Sequence, residues 1–267
     1  MEIFAYSFTQ RALIAGFLIS IISSIIGLYL IYRRMTFMSA GISHAVFGGL
    51  SIGYLLGINM TLTAIVFTIL LIWSIPYIVK RSKLQQEIPV GIFYSSSMAL
   101  GALLLSFHKG YTTDLFSFLF GSILSVKEED LILTLLFTIG ILVFFIKNYW
   151  KIIFIIFDKE TAEASGLNVY KLERWILTLT GIAIVLTSKL VGIILSSALI
   201  IIPAATVIPF IKDIKKSVFA TISLNLISIF SGLIFSYYFN IPTGATIVMV
   251  ATIFFLSSLF IKKPTNH

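Results

Sequence analysis

Long apolar runs are the feature of this sequence that most restricts its fold. Successive runs of roughly 17 to 23 residues each approach or exceed the ~20 residues that a helix needs to cross a bilayer. In lipid, a helix also satisfies its own backbone hydrogen bonds. We therefore predict an all-α integral membrane protein with about 8–9 transmembrane helices, placed at residues 12–32, 35–57, 60–79, 88–107, 130–146, 172–188, 190–210, 217–239 and 244–261.

Composition excludes several classes of protein. Only 11% of the residues are charged and 58% are hydrophobic, whereas a soluble domain carries about 25% charged residues. The absence of cysteine excludes disulfides and thiolate metal sites. The sequence also lacks the phosphate-binding pattern GxxxxGK followed by Ser or Thr, and the patterns HExxH, GxSxG and GxGxxG. We expect no enzymatic activity, and any ATP-driven transport would need an ATPase on another chain.

The basic residues predict an orientation in the membrane. With the N-terminus outside, all but Arg11, Lys109, Lys127 and Lys189 of the 19 basic residues face the cytoplasm. The positive-inside rule favours this orientation, with the C-terminus inside. We interpret the net charge of +8 as an orienting signal, since too little chain lies outside the bilayer to form a nucleic-acid site.

Two segments are too short or too polar to span the membrane. Residues 113–126 predict a re-entrant or interfacial helix. Residues 158–170 predict a short cytoplasmic helix, with Asp158 as N-cap and Gly166 as the residue that follows the C-cap. With Glu160 and Glu163, this segment is either a solvated loop or a docking helix for a soluble partner. No linker interrupts the chain, so residues 1–267 form a single transmembrane domain.

The span 35–57 carries a small-residue ridge, a set of small side chains repeated every four residues. Such ridges allow two helices to approach closely in lipid, so we predict a packing face. The ridge comprises Gly41, Ala45, Gly49, Gly53 and Gly57.

His44 lies beside this ridge, near the middle of its predicted span. It is the only histidine in any predicted span. An ionisable side chain at this depth needs a partner. His44 either binds a transported ion or donates a structural hydrogen bond to Ser39, Ser43 or a backbone carbonyl.

Pro203 lies inside the predicted span 190–210 and removes a backbone hydrogen bond there. The carbonyl that it frees needs another partner, for which Ser196, Ser197 and Thr206 are candidates. Pro203 marks either a tolerated kink or a bend that lines the transport pathway.

Six blocks of sequence in fixed order resemble the membrane permease subunit of bacterial zinc, manganese and iron ABC importers. The resemblance covers about residues 10–260. The blocks are MSAGISHAVFGGLSIGYLLG (38–57), PVGIFYSSSMALGALLLS (89–106), DLFSFLFGSILSVKEEDL (114–131), FDKETAEASGLNV (157–169), VGIILSSALIIIPAAT (191–206) and NIPTGATIVM (240–249).

The resemblance implies a multi-pass permease in the bacterial plasma (inner) membrane that imports a divalent transition-metal ion as its cargo and binds no covalent cofactor. It implies three partners: cytoplasmic ATP-binding cassette subunits, an external metal-binding protein and a second permease copy. It places a metal ligand at His44. It also implies contact with the ATPase by the coupling segment, through Asp158, Glu160, Glu163, Ala164 and Gly166.

One position departs from the family pattern. The family usually has an aspartate four residues before its histidine, and this chain has Ala40 there. Losing that carboxylate removes a hard oxygen ligand and a negative charge. The alternative function is an ion-coupled secondary transporter or channel without an ATPase, but such proteins usually carry carboxylates inside their spans. No Asp or Glu lies well inside any predicted span.

Overall fold

A computed structural model describes residues 7–85, 87–107 and 126–261, and the regular structure of these residues is entirely α-helical. The predicted re-entrant segment at 113–126 lies outside the described residues except for its last position. The helices are α1 (Ser7–Tyr32), α2 (Thr36–Leu56), α3 (Met60–Ser82), α4 (Glu87–Ser106), α5 (Glu128–Lys147), α6 (Tyr149–Phe157), α7 (Lys159–Ala164), α8 (Val169–Val191), α9 (Ile193–Val207), α10 (Ile214–Phe239) and α11 (Thr243–Leu259).

The predicted all-α membrane fold is confirmed. Within the described residues, 7 helices are long and apolar enough to cross a membrane, and the apolar helices α9 and α11 are shorter, with 15 and 17 residues. These helices follow the order of the predicted spans. One boundary differs because Gly192, at φ 89°, separates α8 from α9 inside the predicted run 190–210. The last residue of α9 is Val207, so Pro209 follows this helix and does not lie within it.

Helix α6 is an element that the sequence analysis missed. It occupies Tyr149–Phe157, within the stretch that was expected to be a cytoplasmic connection between spans. Ile152 and Ile155, spaced three residues apart, are buried against the bundle. Trp150 and Phe157 are 78% and 74% exposed. This apolar exposure, on a helix too short to span, fits a position along the membrane interface.

Helices α1, α2 and α8 form the centre of the bundle. In each of these three helices, at least 67% of the most apolar stretch of residues is buried within the protein. In each of α3, α4 and α5, no more than 22% of the most apolar stretch of residues is buried. Most of the apolar stretch of each of these outer helices is not buried within the described part of the protein, as expected for helices that face lipid or a second subunit.

Ion pairs mark two opposite ends of the bundle. Arg33 follows the last residue of α1 and pairs with Glu173, near the start of α8, at 2.6 Å. At the other end of α8, Lys189 pairs with Asp130, in the first turn of α5, also at 2.6 Å. We refer to these as the Arg33 end and the Lys189 end.

The small-residue ridge of α2 contacts two different neighbours. A Cβ at Gly49 would lie 2.7 Å from the Ala64 Cα in α3, and one at Gly53 would lie 2.8 Å from the Met60 Cα. Gly41 instead faces the side chain of Val90 in α4. Residues four apart on a helix rotate by about 40° around its axis, so a long i, i+4 row cannot face a single neighbour.

The two remaining ridge residues differ from each other. Ala45 is buried. Gly57 has no atom within 4 Å of where its Cβ would be, and its φ of 64° makes it the left-handed C-cap of α2. Its prediction as a packing residue was wrong, because this position requires left-handed backbone and not close helix contact.

Gly49→Leu should destabilise the protein, because an isobutyl group would collide with the α3 backbone, which cannot move aside as a side chain can. We expect the melting temperature in detergent to fall by at least 5 °C, with loss of monodispersity. Gly140→Leu is the matched control, since Gly140 lies on α5 with nothing within 4 Å of its Cβ position. Equal melting temperatures for the two variants would contradict this packing.

Candidate functional site

His44 is held on α2, about 12 Å along the helix from Thr36. The ring is half-buried and meets the edge of the Tyr94 ring of α4, with centroids 4.6 Å apart and planes at 78°. The Nδ1 atom of His44 is buried and makes no hydrogen bond to the described residues.

The two serines considered as partners of His44 do not bond to its Nδ1. Ser43 donates its hydroxyl to the Ser39 carbonyl, one turn earlier, at 2.8 Å. The Ser39 hydroxyl is itself buried without a hydrogen-bond partner. Within the described residues, α2 therefore carries two buried polar atoms without a hydrogen-bond partner, the Ser39 hydroxyl and the Nδ1 of His44.

The described residues contain no cluster of three or more His, Cys, Asp or Glu side chains that could hold a metal ion. Ala40 lies one turn before His44 and is also half-buried, so both residues lie on the same face of α2. A carboxylate at position 40 would project next to the imidazole. Helix α2 carries no His, Cys, Asp or Glu besides His44.

Pro203 is buried inside α9, and the helix continues through it to Val207. Close to this point, a Cβ on Gly27 of α1 would lie 2.9 Å from the Ile200 carbonyl carbon. Backbone contact between α1 and α9 therefore occurs in the turn that precedes the proline. Such contact needs a residue without a side chain, and Gly27 supplies it.

The hydroxyls proposed to satisfy the carbonyl that Pro203 frees have other partners. Pro203 leaves the carbonyl four residues earlier, that of Leu199, without its usual donor. Thr206 donates to the Ile202 carbonyl at 2.8 Å, and Ser197 donates to the Ile194 carbonyl at 3.0 Å. The remaining candidate, Ser196, bonds to the Thr187 hydroxyl of α8. The predicted pairing was wrong, because none of these three hydrogen bonds is made to the Leu199 carbonyl.

Helix α7 has defined caps at both ends. At its start, the Thr161 N–H and hydroxyl donate to the Asp158 carboxylate at 3.0 and 2.5 Å. These hydrogen bonds lower the pKa of Asp158 below its usual value. At its end, Gly166 has φ 86°, and the Leu167 N–H donates back to the Ala162 carbonyl at 3.2 Å. These features form a Schellman motif.

The caps fix which face of α7 meets the bundle. Ala162 is completely buried beneath the helix. Five residues predicted to contact an ATPase are all exposed: Asp158, Glu160, Glu163, Ala164 and Gly166. The helix therefore offers an acidic outer surface while its inner side rests on the protein.

The sequence analysis missed a buried charge cluster beneath α7. Glu173 of α8 is 9% exposed and accepts from Arg33 at 2.6 Å and from Lys159 at 3.0 Å. Nearby, Arg174 lies over the ring of Trp73 in α3, 5.6 Å from its centroid. The sequence signal was a single carboxylate among basic residues at the start of a span, and no prediction was made for Glu173.

Gly166→Val should unravel the end of α7, because a β-branched residue is strained at φ 86°. We expect a cost of about 1–2 kcal/mol and faster amide exchange at Gly166 and Leu167, measured by hydrogen–deuterium exchange. Ala164→Val is the control, since that position is helical and exposed. Unchanged exchange in Gly166→Val would contradict the assigned cap.

Comparison with known proteins gives consistent results across the whole chain. The profile of the ABC 3 transport family matches residues 5–262. The chain is 37% identical over 259 residues to the manganese transport system membrane protein MntC of Listeria monocytogenes, covering 97% of this chain and 92% of the relative. It is 34% identical over 264 residues to the manganese import system permease protein ScaB of Streptococcus gordonii, covering 98% and 94%.

A solved structure shares both fold and sequence. A chain in the structure of PsaBC from Streptococcus pneumoniae in complex with Fab superposes with a TM-score of 0.86 and is 34% identical. The match covers 96% of this chain and 92% of that chain. The family profile, the relatives and the solved fold agree: this chain is a multi-pass membrane protein that belongs to the ABC 3 transport family.

Proposed function

We propose that this chain is the permease subunit of an ATP-driven importer of divalent transition-metal ions, with manganese as the first candidate cargo. The observation that carries the proposal is the unpaired Nδ1 of His44, buried on a central helix. Neutral imidazole is a common ligand for such ions. Membership of the ABC 3 transport family and two relatives named for manganese support this class of cargo.

The Arg33 end of the bundle is the cytoplasmic end in this proposal. Helix ends and loops at that end carry most of the basic residues, as the positive-inside rule requires. The Lys189 end carries only Arg11, Lys127 and Lys189 among the described residues. The basic residues at the Arg33 end are Arg33, Arg34, Lys80, Arg81, Lys83, Lys147, Lys151, Lys159, Lys171, Arg174, Lys212, Lys215 and Lys216.

A transported ion needs a binding site that it can also leave. Conduction requires binding that is favourable enough for entry and weak enough for exit. One imidazole, supplemented by hydroxyls, carbonyls and water, fits that requirement better than a closed set of strong ligands. Manganese also accepts oxygen ligands readily, which suits the serine-rich surroundings of His44. A second permease copy would supply a second His44.

Energy enters through a partner chain in this proposal. Separate cytoplasmic ABC subunits hydrolyse ATP, and an external binding protein delivers the ion. The contact with the ATPase is the acidic outer surface of α7, which is exposed and lies at the Arg33 end. The protein works in the inner membrane of a bacterium, where these partners meet.

His44→Ala should reduce manganese uptake at least tenfold, because it removes the one strong metal ligand found in the described part of α2. The measurement is uptake of radioactive manganese by cells that express the permease with its ATPase and binding protein. His44→Asp should retain an intermediate rate, since a carboxylate also binds manganese.

Protein yield and co-purification of the ATPase control for misfolding of the His44 variants. Uptake in His44→Ala equal to that of the unmodified protein would show that His44 binds no cargo. Absence of any ATP-dependent uptake of manganese, zinc or iron by the unmodified protein would contradict the proposed function itself.

A further inference from the structure

Glu173 uses both carboxylate oxygens to join separate elements of the protein. Its Oε1 accepts from Arg33, which follows α1, at 2.6 Å. Its Oε2 accepts from Lys159, the first residue of α7, at 3.0 Å. The Glu173 side chain is only 11% exposed, and because Arg33 is 15% and Lys159 40% exposed, water competes less for the Arg33 bond than for the Lys159 bond. One carboxylate therefore ties α7 to the end of α1 and to its own helix, α8.

Arg33 extends this connection to two further places. Its Nη1 donates to the Ile155 carbonyl of α6 at 3.2 Å. Arg33 is also the first residue of the turn between α1 and α2, in which Arg34 takes a left-handed conformation at φ 55°. Helix α2 begins at Thr36 and carries His44. The connection therefore leads from α7 to the helix that holds the candidate cargo ligand.

The other attachments of α7 do not join it to α1. Ala162 is buried beneath the helix, and the chain continues directly into α6 through Asp158. The pair Lys159–Glu163 is long, at 4.0 Å, and its two side chains are 40% and 54% exposed. Exposed pairs of this kind contribute little. Among the ion pairs of α7 in the described residues, the shorter one is therefore that with Glu173.

A buried ion pair is a poor choice if the only need is stability. Replacing such a pair by well-packed apolar side chains is often neutral or stabilising, whereas removing one partner strands a buried charge. Beside Glu173 lies a cavity of about 220 Å³, lined in part by Met35, Pro76 and Lys80. The hydrogen bonds of Glu173 to Arg33 and Lys159 have defined directions, and the cavity leaves room for these side chains to move.

We propose that Glu173 is a positioning residue that transmits movement of α7 to the α1–α2 junction during transport. This rests on the proposed function, because the movement of α7 would be driven by the ATPase. Arg33 and Lys159 are its two partners. When α7 is displaced, the Lys159–Glu173 bond carries the displacement to Glu173, and the Arg33–Glu173 bond carries it to the start of α2.

Glu173→Gln keeps the shape of the side chain but removes the charge that holds both cations. With unmodified ATPase and binding protein in proteoliposomes, we expect the ATPase to co-purify normally. The number of ATP molecules hydrolysed per ion imported should rise at least fivefold. Glu128→Gln is the matched control, since Glu128 is 81% exposed and its ion pair with Arg11, at the Lys189 end of the bundle, is long, at 3.7 Å. Its ratio should stay within twofold of the unmodified protein.

Lys159 provides a second test that does not depend on the stability of Glu173→Gln. Lys159→Met should raise the same ratio, and Lys159→Arg should restore it to within twofold, since arginine keeps the charge. A ratio equal to that of the unmodified protein in both Glu173→Gln and Lys159→Met would overturn the proposal. So would an equal rise in Lys159→Arg and Lys159→Met, which would indicate packing and not charge.

A measurement without transport separates this inference from the proposed function. The chain has no cysteine, so Ser82→Cys and Ser165→Cys, both at exposed positions, can carry a pair of spin labels. Pulsed electron resonance should show a broader distance distribution in Glu173→Gln than in Glu128→Gln. Equal widths would contradict the positioning role, even if metal uptake is demonstrated. A broader distribution in a protein that imports no metal would leave this role standing and contradict only the proposed function.

Discussion

Lipid offers no hydrogen-bond partners, and this constraint governs how polar residues are used throughout the chain. Hydroxyls inside the spans bond to the carbonyl one turn earlier, as Ser20 does to Gly16 at 2.6 Å and Thr180 does to Ile176 at 2.9 Å. Asn225 reaches across from α10 to the Ser24 hydroxyl of α1 at 3.2 Å. Charged pairs collect at the two ends of the bundle. Among the buried polar atoms that lack a hydrogen-bond partner in the described residues, the Nδ1 of His44 is the only imidazole nitrogen, an atom type that commonly binds transition metals.

The same constraint connects the candidate site to the source of energy. A permease that holds its ion with one imidazole, and not with a closed set of strong ligands, can release that ion, but its helices must then be moved by force applied from outside the lipid. The capped helix α7 and the buried carboxylate of Glu173 provide a continuous polar connection at the end of the bundle. Polar contacts of this strength are accommodated there because the helix ends approach water.

The sequence predicted well those features that depend on local pattern. Apolar length located the spans, and the caps at Asp158 and Gly166 follow from residue types with specific backbone preferences. It failed where a partner distant in sequence decides the outcome. The Arg33–Glu173 pair joins residues 140 positions apart, and the role of Gly57 depends on where α2 ends. Helix α6 was missed because nine residues are too few for a span, and its burial depends on α1 and α5.

The proposed ATPase contact and the proposed role of Glu173 both require that α7 lies in the cytoplasm. The protein has no cysteine, so Ser165→Cys introduces a single thiol at the exposed end of α7. In intact cells, a membrane-impermeant maleimide should leave this thiol unlabelled until the membrane is permeabilised. Lys127→Cys, exposed at the opposite end, should be labelled at once. Ready labelling of Ser165→Cys from outside would reverse the orientation and contradict both the ATPase contact and the role of Glu173.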